Sequence, residues 1–404
     1  MNILFLSLID FNSIEEKNIY TDLLREFRKH GHAIYIISPV EKRKNKKTRI
    51  IEEENAKILK IRIGNIQKTN SIEKGISMLM IESQYKAAIK KHLSTVKFDL
   101  VLYTTPPITI VNVVKFIKKR DNCLSYLLLK DIFPQNAVDL EILSPKGVKR
   151  LVCHHFRNVE KKLYSISDYI GCMSQANMDY ILKHNPEIEP ATVDICPNSV
   201  EVIDMSVDAE TRKNIRDKYN IPLDKQVFVY GGNLGKPQGI DFMIECLKSQ
   251  TNNEDIFFLI VGDGTEFGKI EAYINNDRPR NVRLMKKLPK KDYDMMVGTC
   301  DVGMIFLDHR FTIPNFPSRL LSYMQAKIPV LAVTDSNTDI GKVITSGGFG
   351  WWCRSDDINS FNMCIDLIKS FTKNEIEMYG INAYSFLKKE YDVKDTYKTI
   401  IEDL

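Results

Sequence analysis

No run of about 18 uncharged apolar residues occurs along the 404-residue chain, which sets aside a membrane-spanning helix. The eight cysteines form no CxxC pair and no Cys/His cluster, so neither a zinc site nor a disulfide framework is expected. Tryptophan occurs only twice, glycine 19 times, and no fixed-period repeat or sustained heptad is present. Collagen-like, solenoid and coiled-coil architectures are thereby excluded. The apolar start, Met1 to Ile9, has no basic lead and meets Asp10 after a strand's length; it reads as a first buried strand and not as a signal peptide. The expectation from these absences is a soluble, cytoplasmic protein with reduced thiols.

The chain is 44% hydrophobic and 27% charged. That composition builds folded cores, and the length suits two domains of roughly 200 residues each. Net charge is +5, but it divides into +9 up to Asn198 and −4 from Ser199 onward. The basic excess gathers in Lys42-Arg43-Lys44 with Lys46-Lys47, and in Lys118-Lys119-Arg120. A nucleic acid and an anionic membrane are both physically sensible partners for such a face, and a solvated loop is the plain alternative. These clusters lack interleaved aromatic residues, so nucleic acid is the less favoured of the two.

Short apolar runs alternate with amphipathic stretches. Asn2 to Leu8 is strand-like, Glu16 to His30 carries Ile19, Leu23, Leu24 and Phe27 at helical spacing, Gly31 stops it, and Ala33 to Ser38 is a second strand. The grammar recurs at 100–104, 108–119 and 123–129, and again at 169–172, from Gln175, and at 193–196. After Pro197-Asn198 it loosens into a polar segment, Asp204 to Asp224, then restarts at Val227-Phe228-Val229-Tyr230, with further strands at 256–261, 282–285, 302–307 and 330–333. Such alternation implies an α/β protein whose parallel sheets are covered by helices on both faces. Two Rossmann-like domains facing a central cleft are expected: 1–198, onto which a C-terminal helix of about 391–404 packs back, and 199–390. Ligands of such sheets sit at the carboxyl ends of strands.

Three loops stand at such ends. Gly231-Gly232-Asn233-Leu234-Gly235-Lys236-Pro237-Gln238-Gly239 joins a strand to a helix; missing side chains let backbone N–H groups approach a phosphate, and Lys236 adds a full charge. It fits neither the Walker nor the GxGxxG pattern. Val261-Gly262-Asp263-Gly264-Thr265-Glu266 is a second glycine turn, and two together favour a diphosphate-bearing nucleotide over unrelated tight turns. In Phe316-Pro317-Ser318-Arg319, Ser318 is expected to cap a helix, with the Arg319 guanidinium in its first turn suited to gripping a diphosphate.

The ordered set of these motifs resembles family 4 glycosyltransferases, the retaining, metal-independent enzymes of the GT-B fold. The likeness runs through Gly232-Asn233-Leu234-Gly235 with Gln238-Gly239-Ile240-Asp241, Val261-Gly262-Asp263-Gly264, Lys286-Lys287-Leu288-Pro289, Asp301-Val302-Gly303, and Pro317-Ser318-Arg319-Leu320-Leu321-Ser322-Tyr323-Met324 with Ile328-Pro329-Val330. In the first half it runs through 20–27 leading to Gly31-His32, Lys130-Asp131-Ile132-Phe133-Pro134, and Pro197-Asn198-Ser199-Val200. Coverage is nearly the whole chain, and the nearest flavour is that of bacterial enzymes of capsule, O-antigen or exopolysaccharide synthesis.

The resemblance implies that Gly232, Asn233, Gly235, Lys236 and Gln238 face the donor diphosphate, and that Gly262, Gly264 and Glu266 border the nucleoside. Lys287 and Leu288 would read the base, as uracil is read in relatives, while Phe316, Pro317, Ser318, Arg319 and Ser322 hold the diphosphate and sugar. Asp131 would lie near the acceptor or the reacting carbon. The loop with Asn12, Ser13, Lys17 and Asn18 would shape the acceptor site. Four positions depart from the family pattern: Asn233 and Gln238 stand where many relatives carry Arg and Lys, and Pro314 and Ser322 stand where two glutamates are usual. Lys236 and Arg319 are then expected to supply the missing charge, so that Asp131, Lys236 and Arg319 are the catalytic candidates.

The expected function is transfer of a sugar, an N-acetylhexosamine or 6-deoxy derivative, from a UDP-sugar to a polyprenyl-diphosphate-linked saccharide. UDP-sugar is a substrate; no metal or other cofactor is expected. The alternatives are a UDP-sugar 2-epimerase of the same fold and an inactive sugar-nucleotide-binding partner of an assembly complex. The basic first domain would face an anionic membrane at its inner side, with Ile76 to Ile81 followed by Lys86, Lys90 and Lys91 as the inserting surface. His154-His155 is read as structural, because adjacent helix residues face different ways.

Overall fold

The computed structural model describes residues 1–66, 69–147 and 149–404. It divides into two compact units, Met1–Glu201 with Val393–Leu404, and Val202–Asp392.

The first unit is built on eight strands: β1 (Asn2–Leu6), β2 (Ala33–Glu41), β3 (Arg49–Glu53), β4 (Ala56–Ile63), β5 (Leu100–Thr104), β6 (Leu124–Leu129), β7 (Tyr169–Cys172) and β8 (Val193–Ile195). Their order is β3-β4-β2-β1-β5-β6-β7-β8. Every pairing is parallel except β3 with β4. That antiparallel edge corrects the expectation of a purely parallel sheet: a two-residue turn with Asn55 in the left-handed region reverses the chain there. The hairpin is absent from the sequence reading because β3 is only half-buried and offers no long apolar run.

The first helix, Ile19–Lys29, shows how local sequence sets an element. Asn18 Oδ1 accepts from the N–H groups of Tyr20 and Thr21, Leu23, Leu24 and Phe27 are buried, and Arg28 and Lys29 sit in the last turn, where they complement the helix dipole. Gly31, at φ +83°, ends it. Against this helix packs the C-terminal one, Val393–Glu402. Tyr397 meets Phe27 edge-on at 4.9 Å and stacks on His30 at 4.1 Å, and Val393 and Ile400 join the core formed by β1, β2 and Phe27.

The second unit carries β9 (Gln226–Asn233), β10 (Ile256–Asp263), β11 (Val282–Lys286), β12 (Val302–Phe306), β13 (Val330–Thr334) and β14 (Gly350–Arg354), in the order β11-β10-β9-β12-β13-β14, all parallel. Every residue of β12 and β13 is buried, as in β5, which requires cover on both faces of each sheet. The polar segment after Asp204 is not irregular: Ala209–Lys218 is a helix capped by Asp208. Its anchor is Arg216, fully buried, which donates to the carbonyls of Thr299 and Pro222 and pairs with Asp301 at 2.8 Å. A helix held by a buried cation has no apolar stripe to read.

In both sheets the strand order reverses at one place. β1 has β2 on one side and β5 on the other, and β9 has β10 on one side and β12 on the other. Loops diverge at such a switch point and leave a crevice at the strands' carboxyl ends. The loop at 231–239 and the segment leading to Arg319 flank the second of these points, and the loop at 10–18 leaves the first.

Candidate functional site

The second unit's switch point is lined by the end of β9. Gly232 has φ +128°, a conformation that excludes side chains, and it pairs with Gly262 on β10. A Cβ on Gly262 would lie 2.1 Å from the Gly232 carbonyl oxygen, and one on Gly264 would lie 2.3 Å from that of Leu234. The close approach of two backbones by itself requires glycine at both positions of this second turn. Gln238 is likewise turned inward: buried, its Oε1 accepts from Gly235 N–H and from Asn233 Nδ2, both at 3.2 Å. It braces the loop and does not point outward. Gly232, Asn233 and Lys236 are the exposed members.

Arg319 reaches this loop from the other side. Its guanidinium carbon lies 4.4 Å from the Tyr230 ring centroid and would be 3.5 Å from a Cβ on Gly232. Nη1 is buried with no hydrogen-bond partner among the described residues. Burial works against the charge, but the facing Tyr230 and Tyr323 outweigh it and hold the group above the ordinary arginine value. It is a permanent cation with an unused donor. The seven-residue helix Arg319–Gln325 begins at Arg319 itself; Ser318 is helical in φ and ψ and makes no side-chain cap bond. The expected Ser318 cap is thus absent, and the short helix offers no N-terminal anion site.

Two tyrosines that sequence reasoning did not single out hold this arrangement. The Tyr323 hydroxyl donates to Met304 O at 3.0 Å and accepts from Gly231 N–H at 3.3 Å. Tyr293 packs so closely on Gly231 that a Cβ there would meet its hydroxyl at 1.7 Å. The signal available was three tyrosines and one arginine in one half of the chain, which no spacing rule connects. Among the remaining candidates, Phe316 is buried against Tyr391 and Glu266 pairs with Lys269 at 2.5 Å, so neither side chain is presented to solvent as a free contact. Lys287 and Ser318 are exposed, and Leu288, Pro317 and Ser322 are half-buried.

In the first unit, Asp131 follows β6. Its two oxygens lie 2.7 and 2.8 Å from Asn136 Nδ2, and its N–H donates to Thr105 Oγ1 at 3.1 Å. Burial pushes the carboxyl up to about 6, against the hydrogen bonds from Asn136 and the Ile132 N–H. In the 10–18 loop, Asn12 bonds Glu16, Ser13 Oγ accepts from Glu15 N–H, and Asn18 is spent as a helix cap. Lys17 is exposed. Beneath the loop, the fully buried Lys60 donates to Asp10, to Phe11 O and to Ser38 Oγ.

Of the basic clusters, Lys118 pairs with Asp168 at 2.6 Å and Arg120 with Asp121 at 2.6 Å, so only Lys119 of the three is exposed and unpaired among the described residues. That cluster is an internal brace and not a charged face. On the helix Ser71–His92, Ile76, Leu79 and Met80 are exposed, whereas Ile81 and Tyr85 are buried. His154 and His155 are both exposed, and the His155 ring meets Phe156 edge-on at 5.6 Å. No helix among the described residues is long and apolar enough to cross a membrane, and no group of three or more His, Cys, Asp or Glu among them is placed to hold a metal ion.

Residues 211–385 match the family model "Glycosyl transferases group 1". The chain is 26% identical over 273 residues to a protein of Pseudomonas aeruginosa described as a probable glycosyltransferase, WbjE; the match covers 67% of this chain and 66%, just under two thirds, of that relative. It is 24% identical over 145 residues to WcaI of Escherichia coli K12, described as a colanic acid biosynthesis glycosyl transferase, covering 35% of this chain and 33% of that one. Among solved structures, that of Alr3699/HepE from Anabaena in complex with UDP and glucose superposes with a TM-score of 0.69 at 14% identity, over 100% of this chain and 98% of that one. The chain thus shares the GT-B fold, and most of its second unit matches the glycosyltransferase group 1 family model.

Proposed function

We propose that the chain moves a sugar, an N-acetylhexosamine or 6-deoxy derivative, from a UDP-sugar to a polyprenyl-diphosphate-linked saccharide, with retention at the anomeric carbon. The observation that carries this reading is the Arg319 guanidinium with a buried, unpartnered Nη1 beside Gly232, at the switch point of the second sheet. A diphosphate oxygen completes that donor, and the exposed Lys236 of the same loop adds a second positive charge. The HepE structure holds UDP and glucose in the same fold, and the WcaI match supports a surface-polysaccharide setting.

In this reading the bond from the sugar's anomeric carbon to the β-phosphate oxygen breaks while the acceptor oxygen bonds to that carbon from the same face. The departing β-phosphate gains negative charge, which Arg319 and Lys236 stabilise. The β-phosphate oxygen takes the acceptor proton, so no separate base is needed. Asp131, contributed by the first unit, stabilises the oxocarbenium-like centre and orients the acceptor.

A lipid-linked acceptor implies work at an anionic surface. The exposed Ile76, Leu79 and Met80 support this, and so does the helix Arg150–Ile166, whose Leu151 is 80% exposed and Val152 47%. Both helices pack against the single turn Ile108–Ile110, and Lys146, Lys149 and Arg150 are exposed beside Leu151. The first unit then serves the acceptor and the second the donor.

Purified protein incubated with a panel of UDP-sugars and bacterial membrane extract tests the proposal. The expected result is UDP release with the sugar recovered in the lipid fraction. An epimerised sugar without acceptor would establish the epimerase reading in its place, and donor binding with no turnover on any extract would establish the inactive partner.

A further inference from the structure

Asn136 lies in the short helix Gln135–Asp139, with Nδ2 at 2.7 Å from Asp131 Oδ1 and 2.8 Å from Oδ2. Its own Oδ1 is buried and has no hydrogen-bond partner among the described residues. An unpaired buried carbonyl destabilises the fold, and an apolar side chain would avoid that cost. The residue is therefore explained by what its nitrogen holds. The backbone bearing the carboxylate is anchored independently, because Thr105 Oγ1 at the end of β5 accepts from the N–H groups of both Lys130 and Asp131, at 3.0 and 3.1 Å.

Among the described residues, the charged and titratable groups around Asp131 supply no counter-ion. Tyr20 faces it from the helix Ile19–Lys29, and Glu160 faces it from the helix Arg150–Ile166, with Arg157 3.9 Å from Glu160. The neighbouring Lys130 turns its Nζ to Cys196 O at 3.1 Å. A cationic partner would fix the carboxylate but cancel its field, whereas a neutral amide fixes it and leaves the full charge for a positive centre developing in a transition state.

We propose that Asn136 is the positioning residue of Asp131, holding its carboxylate in one orientation while leaving its charge unneutralised. This rests on the assignment of Asp131 to the reacting centre. The test is titration of the Asp131 carboxyl by NMR of protein carrying 13C-labelled aspartate, the signal assigned by its loss in Asp131→Asn, alongside the pH dependence of kcat/KM for transfer. Asn136→Leu is expected to raise the Asp131 pKa by about one unit or more and to move the acidic limb of the rate profile by the same amount, with the donor KM unchanged. Asn136→Gln, which keeps an amide, restores part of both. Asn136→Asp, of the same size, covers the case in which the leucine variant does not fold; its second carboxyl raises the pKa further. An unmoved Asp131 pKa in these variants overturns the proposal. A moved pKa with an unmoved rate profile upholds Asn136 and refutes instead the part given to Asp131 in transfer.

Discussion

The Arg319 guanidinium lies 4.4 Å over the ring of Tyr230, a buried residue of β9 two positions before the exposed Gly232. The ring face stabilises the cation, while Nη1 has no hydrogen-bond partner among the described residues. A cation so placed keeps that donor for an anion, and a carboxylate partner would have spent it.

Replacing Arg319 with alanine is accordingly expected to weaken UDP-sugar binding by roughly 10- to 100-fold, the scale of a charge-assisted hydrogen bond. Lysine at this position keeps the charge but loses the fork and the stacking, and should fall between the two. Calorimetric titration with UDP and with UDP-sugars reads the difference; wild-type affinity in Arg319→Ala would refute the phosphate assignment.

Gly262→Ala is expected to damage stability more than Gly235→Ala. The added methyl group at 262 meets the Gly232 carbonyl oxygen at 2.1 Å, while at 235 its nearest neighbour is the Asn233 amide nitrogen at 3.0 Å, which can move. Overpacking of this kind costs about 1–3 kcal/mol. Thermal unfolding should separate the two variants, and loss of donor binding should accompany the first.

Glu160 is buried, hydrogen-bonded by the Tyr164 hydroxyl at 3.0 Å, and burial pushes its carboxyl from 4.5 up to about 7. A folded-state value raised above the unfolded one means the native state holds the proton more tightly. Ionisation therefore destabilises the fold above about pH 7, and the destabilisation disappears as pH falls from there through the unfolded value. Glu160→Gln is expected to stabilise the protein at pH 8 by up to about 3 kcal/mol and to bring no gain near pH 4.5. Equal gains at both pH values would contradict the assignment.

Leu79→Ser combined with Leu151→Ser should reduce sedimentation with anionic vesicles while leaving the melting temperature nearly unchanged, because both side chains are largely exposed, at 71% and 80%. Binding of the parent protein should weaken with salt. Unaltered vesicle binding in the double variant would place the membrane contact elsewhere or remove it.

Much of the architecture was legible because apolar periodicity is a local property. The strands at 100–104 and 169–172 and the helix from Gln175 begin or end where the pattern says, since fully buried parallel strands are continuous apolar runs. The hairpin at 49–63 and the helix Ala209–Lys218 escaped the reading. One is a half-buried edge, and the other is fastened by Arg216, whose burial depends on Thr299 and Asp301 far along the chain.

The amino-acid order by itself determined the alternation of strands and helices, the two α/β sheets and the glycine turns at strand ends, because each follows from spacing within about a dozen residues. Only the tertiary structure decided what those turns are for. It set Gly262 against the backbone of Gly232 and turned Gln238 inward, and it brought Tyr230 and Tyr323 around Arg319 and Asn136 onto Asp131. These relationships arise from which strands neighbour one another and from which donors burial leaves unpaired, neither of which is written in any local stretch of the chain.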